Sequence, residues 1–485
     1  AALIFNRSNN STFAGAISGS GTLTKSGAGT LTFTGDHTYG GETLVEGGTL
    51  RISASGSLPT GALKLTTDAS GDSTVIFDNP VQSIASLQSN SLGTGDSAIV
   101  LNGTALTVNQ SSSTTHVGDI TGTGSLIKLG SGLLALSGDT SHTGGTTITA
   151  GTLRIGSFLS FGTISGNIIN NASLVFARRT ASTFPGNISG SGTLVVNGFL
   201  TVTGSNTHTG GTRITGGELR VGSGGTTGLI SGNIVIDDTL IFNRSDNLSF
   251  GGNISGNGSL IQAGTGTLTL TGALTYSGNT SVTGGGKLVL NSALNTGTGD
   301  VVLSTNGKVD FGVARTVVPV VVGQIDNLTV PSGGIARITR STRAGGLSQG
   351  VLIVNTLSIT GGGFLDLANN DLIVRQQSLA SVRSLVGAWY NSVGGLPGTL
   401  GLGSTEAFYT VAGAFTTLAV YDNSIAGQTL ASFDGVAVLP TDVLVKYTYL
   451  GDTNLDGVVN ATDLSRVLLG LNGQGSGWNF GDVNY

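Results

Sequence analysis

Residues 452–463 read Asp-Thr-Asn-Leu-Asp-Gly-Val-Val-Asn-Ala-Thr-Asp, and their oxygen-bearing side chains are spaced as one hard cation requires. Counting Asp452 as position 1, side-chain oxygens follow at 3 (Asn454), 5 (Asp456), 9 (Asn460) and 12 (Asp463). Gly457 stands at 6, where such a loop turns sharply, and Val458 at 7 would offer its backbone carbonyl. Calcium takes six to eight oxygens at ~2.3–2.6 Å, more than a tight magnesium octahedron accepts. The spacing therefore predicts Asp452, Asn454, Asp456, Val458, Asn460 and Asp463 as ligands of one calcium ion, with Asp in place of the usual Glu at position 12. Three carboxylates held near one point repel each other without a cation, so binding and local folding should be coupled. A short helix is expected over 464–471, with Leu464, Val467, Leu468 and Leu471 on one face.

No other constellation has the look of a reactive centre. Three of the four histidines, His37, His142 and His208, fall in one recurrent turn (GDHTYGG, TSHTGG, NTHTGG), where Tyr276 stands in a fourth copy. A residue that recurs with a repeat serves the repeat, so their expected role is structural; His116 stands apart. Carboxylates are sparse. Asp237-Asp238 is the only adjacent pair, and on a strand the two would face opposite ways, unlike an acid–base pair of a glycosidase. Asp310 and Asp326 are isolated in sequence. The chain has no cysteine, which removes disulfides, zinc–thiolate sites and thiol nucleophiles. Arg178-Arg179 is the only basic pair and net charge is −5, which argues against a nucleic-acid partner. No apolar run is long enough for a membrane span. Sequons such as Asn187-Ile188-Ser189 are expected by chance in so Ser/Thr-rich a chain.

The elements that must carry these residues are short strands. Glycine supplies 82 of 485 residues, without a Gly-X-Y period, and proline only 7. Charged residues make up 10 % and hydrophobic ones 38 %, too apolar a balance for a disordered chain. Apolar residues alternate with Thr, Ser and Asn between glycines, as in Gly-Thr-Leu-Thr-Leu-Thr-Gly at 266–272. Four segments repeat, 13–52, 116–155, 184–221 and 250–290, with aligned Ile17, Ile120, Ile188 and Ile254. The later intervals imply a unit of three coils, each of roughly 22 residues, the scale of a β-solenoid. Stacked coils would turn Ile17, Leu23, Leu31, Ile120 and Ile254 inward. After residue 290 the pattern loosens, and at 378–390 it changes period: Leu379, Val382, Leu385, Val386 and Trp389 share one helical face, as a lid on the solenoid core would.

Gly19, Gly21 and Leu23, the Gly-Thr-Leu-Thr run at 29–32, and the turn at 143–146 leading to 150–153 resemble the autotransporter-associated β-strand repeat, also called the passenger-associated transport repeat. That resemblance implies a right-handed parallel β-helix in a secreted bacterial surface protein. The segment 451–485 resembles an EF-hand-like type I dockerin repeat, and 481–485, with Asp482, restates the start at 451–455. Ala461-Thr462 departs from the Ser-Thr pair common in cohesin-binding dockerins, so a cohesin-like partner does not follow. The order of solenoid, short-strand region and dockerin-like tail resembles large secreted repeat proteins of planctomycete-type bacteria. The expected organisation is all-β: a β-solenoid over 1–363, a β-rich region with one helix over 364–450, and a partial calcium module over 451–485. The expected role is a non-enzymatic extracellular component of a fibre, sheath or surface layer, self-associating end to end because no capping element is readable. The rival roles are a glycan- or surface-binding adhesin and a carbohydrate-active enzyme in a dockerin-based assembly.

Overall fold

The structure is a computed structural model. It describes residues 1–67, 71–91, 96–157, 162–291, 294–295, 299–312, 320–340, 350–391, 400–407, 410–411 and 414–481. The chain forms two compact units, Ala1–Ser223 with Thr227–Ile234, and Gly224–Thr226 with Val235–Tyr485.

The first unit is a parallel β-solenoid. Each strand is short because its apolar residues alternate with Thr, Ser or Arg and end at a Gly-rich corner; Thr30–Phe33 buries Leu31 and Phe33 and turns both threonines outward. One strand cannot bury a face alone, so like stacks on like. Leu31 pairs in register with Leu50, Leu50 with Val75, Val75 with Ile99 and Ile99 with Ile120, all in parallel ladders. Those partners are 19, 25, 24 and 21 residues apart in sequence. The coil thus has no fixed length. Strands hold the register, and corners absorb the insertions. Leu23, Leu31, Ile120 and Ile254 point inward as expected. Ile17 does not reach full burial. It belongs to the first coil, which packs on one neighbour in this structure, whereas Ile120 lies between two.

Corners need their own hydrogen bonds, since the ladder lapses there. Asn and Asp supply them by reaching one coil onward. Asn10 Oδ1 accepts from Thr30 N at 2.9 Å, Asp119 Oδ1 from Asp139 N at 2.8 Å, and Asn187 Oδ1 from Ser205 N at 2.7 Å. The sequon asparagine is therefore part of the scaffold.

The second unit begins with the same architecture. Leu248, Leu268, Leu288, Val309, Ala336, Leu365 and Leu402 form one inward row in parallel register. Along it the coils lengthen. Helix α1 (Leu379–Asn391) occupies the longest excursion, between strands Phe364–Asp366 and Gly401–Gly403. It buries Val382, Val386 and Trp389, while Leu379 and Leu385 are half-buried. The Trp389 ring lies over Gly403, where a Cβ would come within 2.4 Å of it. Parallel order then ends: Asp371–Val374 pairs antiparallel with Val443–Tyr449, which pairs antiparallel with Ala414–Asp422. Helix α2 (Ala461–Leu471) and a 3₁₀ turn at Trp478–Phe480 close the described chain. Among the described residues no helix is long and apolar enough to cross a membrane, which leaves β-barrel spans unaddressed.

Candidate functional site

The loop at 452–463 is tethered to the second unit through its apolar members. Leu455 and Trp478 join a core of Val351, Ile353, Ile373, Ala419, Tyr421 and Leu444. Trp478 Nε1 donates to the Asp452 carbonyl at 2.7 Å. Leu455 holds a left-handed backbone (φ 62°), uncommon for a leucine and maintained by burial of its side chain. Gly457, at the sharp-turn position, has φ 82°.

Each candidate ligand folds the loop on itself. Asp452 Oδ1 accepts from Asp456 N at 3.1 Å; its Oδ2 accepts from Gly457 N at 2.9 Å and from the Thr448 hydroxyl. Burial pushes the Asp452 carboxyl up, against the bonds from Thr448 and Gly457, and the charges of Asp456 and Asp463 add to the rise. Asn454 Oδ1 accepts from Asp456 N at 3.1 Å while its Nδ2 donates to Asp456 Oδ2 at 2.7 Å. Asp456 Oδ1 accepts from Val458 N at 2.9 Å, on the exposed side of the turn. Asn460 is the N-cap of α2 and accepts from Thr462 N at 2.7 Å. Asp463 completes a capping box, accepting from Asn460 N at 2.9 Å and from Thr453 N at 2.8 Å. Burial works against its charge, but bonds from Asn460, Thr453 and Asn454 hold its carboxyl below the ordinary range.

The oxygen-only donor set and the wrapped backbone fit calcium chemistry. The carboxylates themselves engage N–H groups, and no group of three or more His, Cys, Asp or Glu that could hold a metal ion occurs among the described residues. The expected helical face is present, but Leu464, Leu468 and Leu471 are exposed. The restart at Asp482 lies outside the described residues.

The histidines belong to the scaffold; His142, His208 and Tyr276 share one corner position as expected, and only His37 stands two residues away from its expected place in that register. His142 Nε2 lies 3.1 Å from Thr146 Oγ1, and His208 Nε2 lies 2.9 Å from Thr212 Oγ1. Tyr276 OH meets Thr280 Oγ1 at 2.6 Å, and Tyr39 OH meets Thr43 Oγ1 at 2.5 Å. Tyr39, not His37, is thus the equivalent of His142. His37 accepts from Ile17 N through Nδ1 at 3.1 Å, the bond that Asn206 Oδ1 makes with Ile188 N at 3.2 Å. Burial lowers the pKa of His37, His142 and His208, and pushes that of the fully enclosed His116 down to about 4.

The carboxylate pair is corrected too. Asp237 and Asp238 lie in the bend between strands Ile234–Ile236 and Thr239–Phe242, not on a strand. The alternation that suggested a strand stops one residue earlier, at Ile236. Asp310 pairs with Lys287, and Asp326 Oδ1 accepts from Asn355 Nδ2 at 2.7 Å.

Comparison with known proteins bears on the solenoid. Residues 23–52, 126–155, 189–221 and 260–290 match the family described as Passenger-associated-transport-repeat. Each matched stretch contains one Tyr/His–Thr corner pair. The chain is similar to "Adhesin BmaC autotransporter" of Brucella suis biovar 1 (strain 1330), 31 % identical over 187 residues. That match covers 38 % of this chain and 5 % of the adhesin's length. No solved structure matches. The geometry and the matches agree: the four stretches similar to the passenger-associated-transport-repeat are each built into parallel β-solenoid ladders.

Proposed function

We propose that this chain is a surface-exposed, non-catalytic passenger whose solenoid mediates adhesion. The observation that carries this reading is the outer face of the repeats: regular rows of Thr, Ser, Asn and Arg on a scaffold whose histidines and most perturbed groups are committed to the fold. The likeness to an autotransporter adhesin favours adhesion over a structural fibre or sheath. The test is retention of the purified chain on immobilised glycans and host-type matrix surfaces, with electron microscopy of the same preparation. Saturable retention by dispersed particles is the expected result. Ordered filaments without retention would replace adhesion by the fibre role, and turnover of a glycan would replace it by catalysis.

The loop at 452–463 is proposed as a calcium site that orders the end of the second unit, supported by its spacing and by the turns at Asp452, Asn454 and Asp456. Calorimetry on the full chain should show calcium binding that a chelator reverses and that Asp456→Ala removes. No binding heat, together with unchanged hydrogen exchange over 451–471 on adding calcium, would end the calcium reading.

A further inference from the structure

One arginine recurs on the outer face of the repeats, at Arg51, Arg154 and Arg220, each in a strand that ends a matched repeat. In two copies it is neutralised. Arg51 Nε donates to Asp78 Oδ2 at 2.6 Å, one coil onward, and Arg220 Nε donates to Glu218 Oε1 at 3.0 Å, two residues back. The middle copy lacks both partners. Arg51 faces Ile76 and Arg154 faces Val175 in the ladders, so the counterpart of Asp78 is Ala177. The counterpart of Glu218 is Thr152. Among the described residues Arg154 has no carboxylate partner, and its buried Nε makes no hydrogen bond.

The same arginine opens onto a groove of about 550 Å³. Its floor is low because the position beside Arg154 in the ladder is Ala135, and the next is Thr115. Across it stand Gln88 and Asn90, with Ser113 at the end. The strands that carry it, Ser86–Ser91, Thr114–His116, Leu133–Leu136 and Thr152–Ile155, hold no Lys, Asp or Glu, so Arg154 is their one fixed charge. A half-buried guanidinium without a counter-ion is matched best by a planar carboxylate, which it can grip with two parallel N–H···O bonds. Amides and hydroxyls around it suit the hydroxyls of a sugar, and the volume lies within the range of small-ligand clefts.

We infer that this groove binds a carboxylate-bearing saccharide, with Arg154 gripping the acid group and Gln88, Asn90, Ser113 and Thr115 facing the ring hydroxyls. The inference rests on the adhesive reading and names the ligand class for it.

The full chain is titrated with tetragalacturonate, and with maltotetraose as the neutral counterpart, by calorimetry or ligand-observed NMR. The expected result is salt-sensitive binding of the uronate alone. Arg154→Gln should weaken it by at least about tenfold, the loss of a charge-assisted bond. Thr152→Glu should do the same by supplying the internal partner that Arg220 already has, in a geometry this fold accommodates, so it decides the matter if the first variant misfolds. Arg51→Gln, which touches a neutralised copy, should leave binding unchanged. Absence of uronate binding, equal binding of maltotetraose, or binding indifferent to both Arg154→Gln and Thr152→Glu overturns the assignment. If the chain still adheres to other glycans with Arg154 replaced, the adhesive reading survives and this site falls alone.

Discussion

Interior polar residues show how a solenoid with so few charges treats the ones it has. Lys25 Nζ is enclosed and donates to the carbonyls of Gly27 at 2.7 Å and Gly47 at 2.8 Å; Lys128 Nζ repeats this with Leu129 at 2.7 Å and Gly130 at 2.8 Å. In the fourth repeat Gln262 does the same for Gly266 at 2.9 Å, and in the third Val196 takes the position. These side chains close corner carbonyls, and burial lowers the pKa of both lysines. His116 is the more consequential case. Its folded pKa, about 4, lies below the ~6.5 of an unfolded histidine. As pH falls below ~6.5 the unfolded chain takes up a proton that the native state refuses, so stability present above that pH drains away down to about 4. The full effect is about 3 kcal/mol. His142 and His208 act in the same direction. We expect the denaturation midpoint of the wild type to drop between pH 7 and pH 4.5, and His116→Leu to flatten that slope whatever it does to the midpoint at pH 7. A slope unchanged by the substitution would show that His116 takes up its proton as readily in the folded as in the unfolded chain. The inward position of Leu31 or Ile120 could be read from alternation alone. Tyr39 could not, because His37-Thr38-Tyr39 offers two rings to one turn, and only the register with the coil below selects which one meets the threonine.

At the scale of the element, period and turn residues carried most of the information. The 3.6-residue period at 378–390 locates α1, found at Leu379–Asn391, because a helix packed on one sheet edge needs one apolar stripe. Coil length was less legible, since corners lengthen without changing any strand; the step from Ile335 to Phe364 is 29 residues where Leu248 to Leu268 is 20. The loop at 452–463 shows the other limit. Its spacing is plain, yet Asn460 and Asp463 also form a sound helix cap, so one set of residues satisfies two designs and sequence cannot rank them. Corner glycines are specified by neighbours as much as by φ. A Cβ on Gly258 would lie 1.9 Å from the Asp238 carbonyl oxygen of the adjacent coil, a clash with rigid backbone, whereas one on Gly225 would meet nothing within 4 Å. Gly258→Ala should therefore cost about 2–4 kcal/mol by forcing two coils apart, against less than about 0.5 for Gly225→Ala. Paired denaturation curves of the two variants check this, and equal stability would mean the corner relaxes freely.

For the molecule as a whole, the ladders decide how a disturbance travels. Backbone bonds run from each coil to the next, as from Thr34 N to the Phe13 carbonyl and from Thr271 N to the Phe250 carbonyl, so contacts reach across about one coil of sequence. Stability in such an array is a sum of coil terms and nearest-neighbour interface terms, without one core that melts together. Charge adds little long-range coupling, at 10 % of residues. It follows that damage should stay near its origin. Hydrogen exchange on Gly258→Ala tests this directly. Protection should fall in strands Thr239–Phe242, Ser259–Gln262 and Thr280–Val282, which stack on one another beside the substituted corner. Strands Thr30–Phe33, Gly48–Ile52 and Ser73–Phe77, in the first unit, should exchange as in the wild type. Uniform loss of protection in both units would instead require a single cooperative fold, and nearest-neighbour stacking would no longer explain how 485 residues with so little charge and no disulfide hold together.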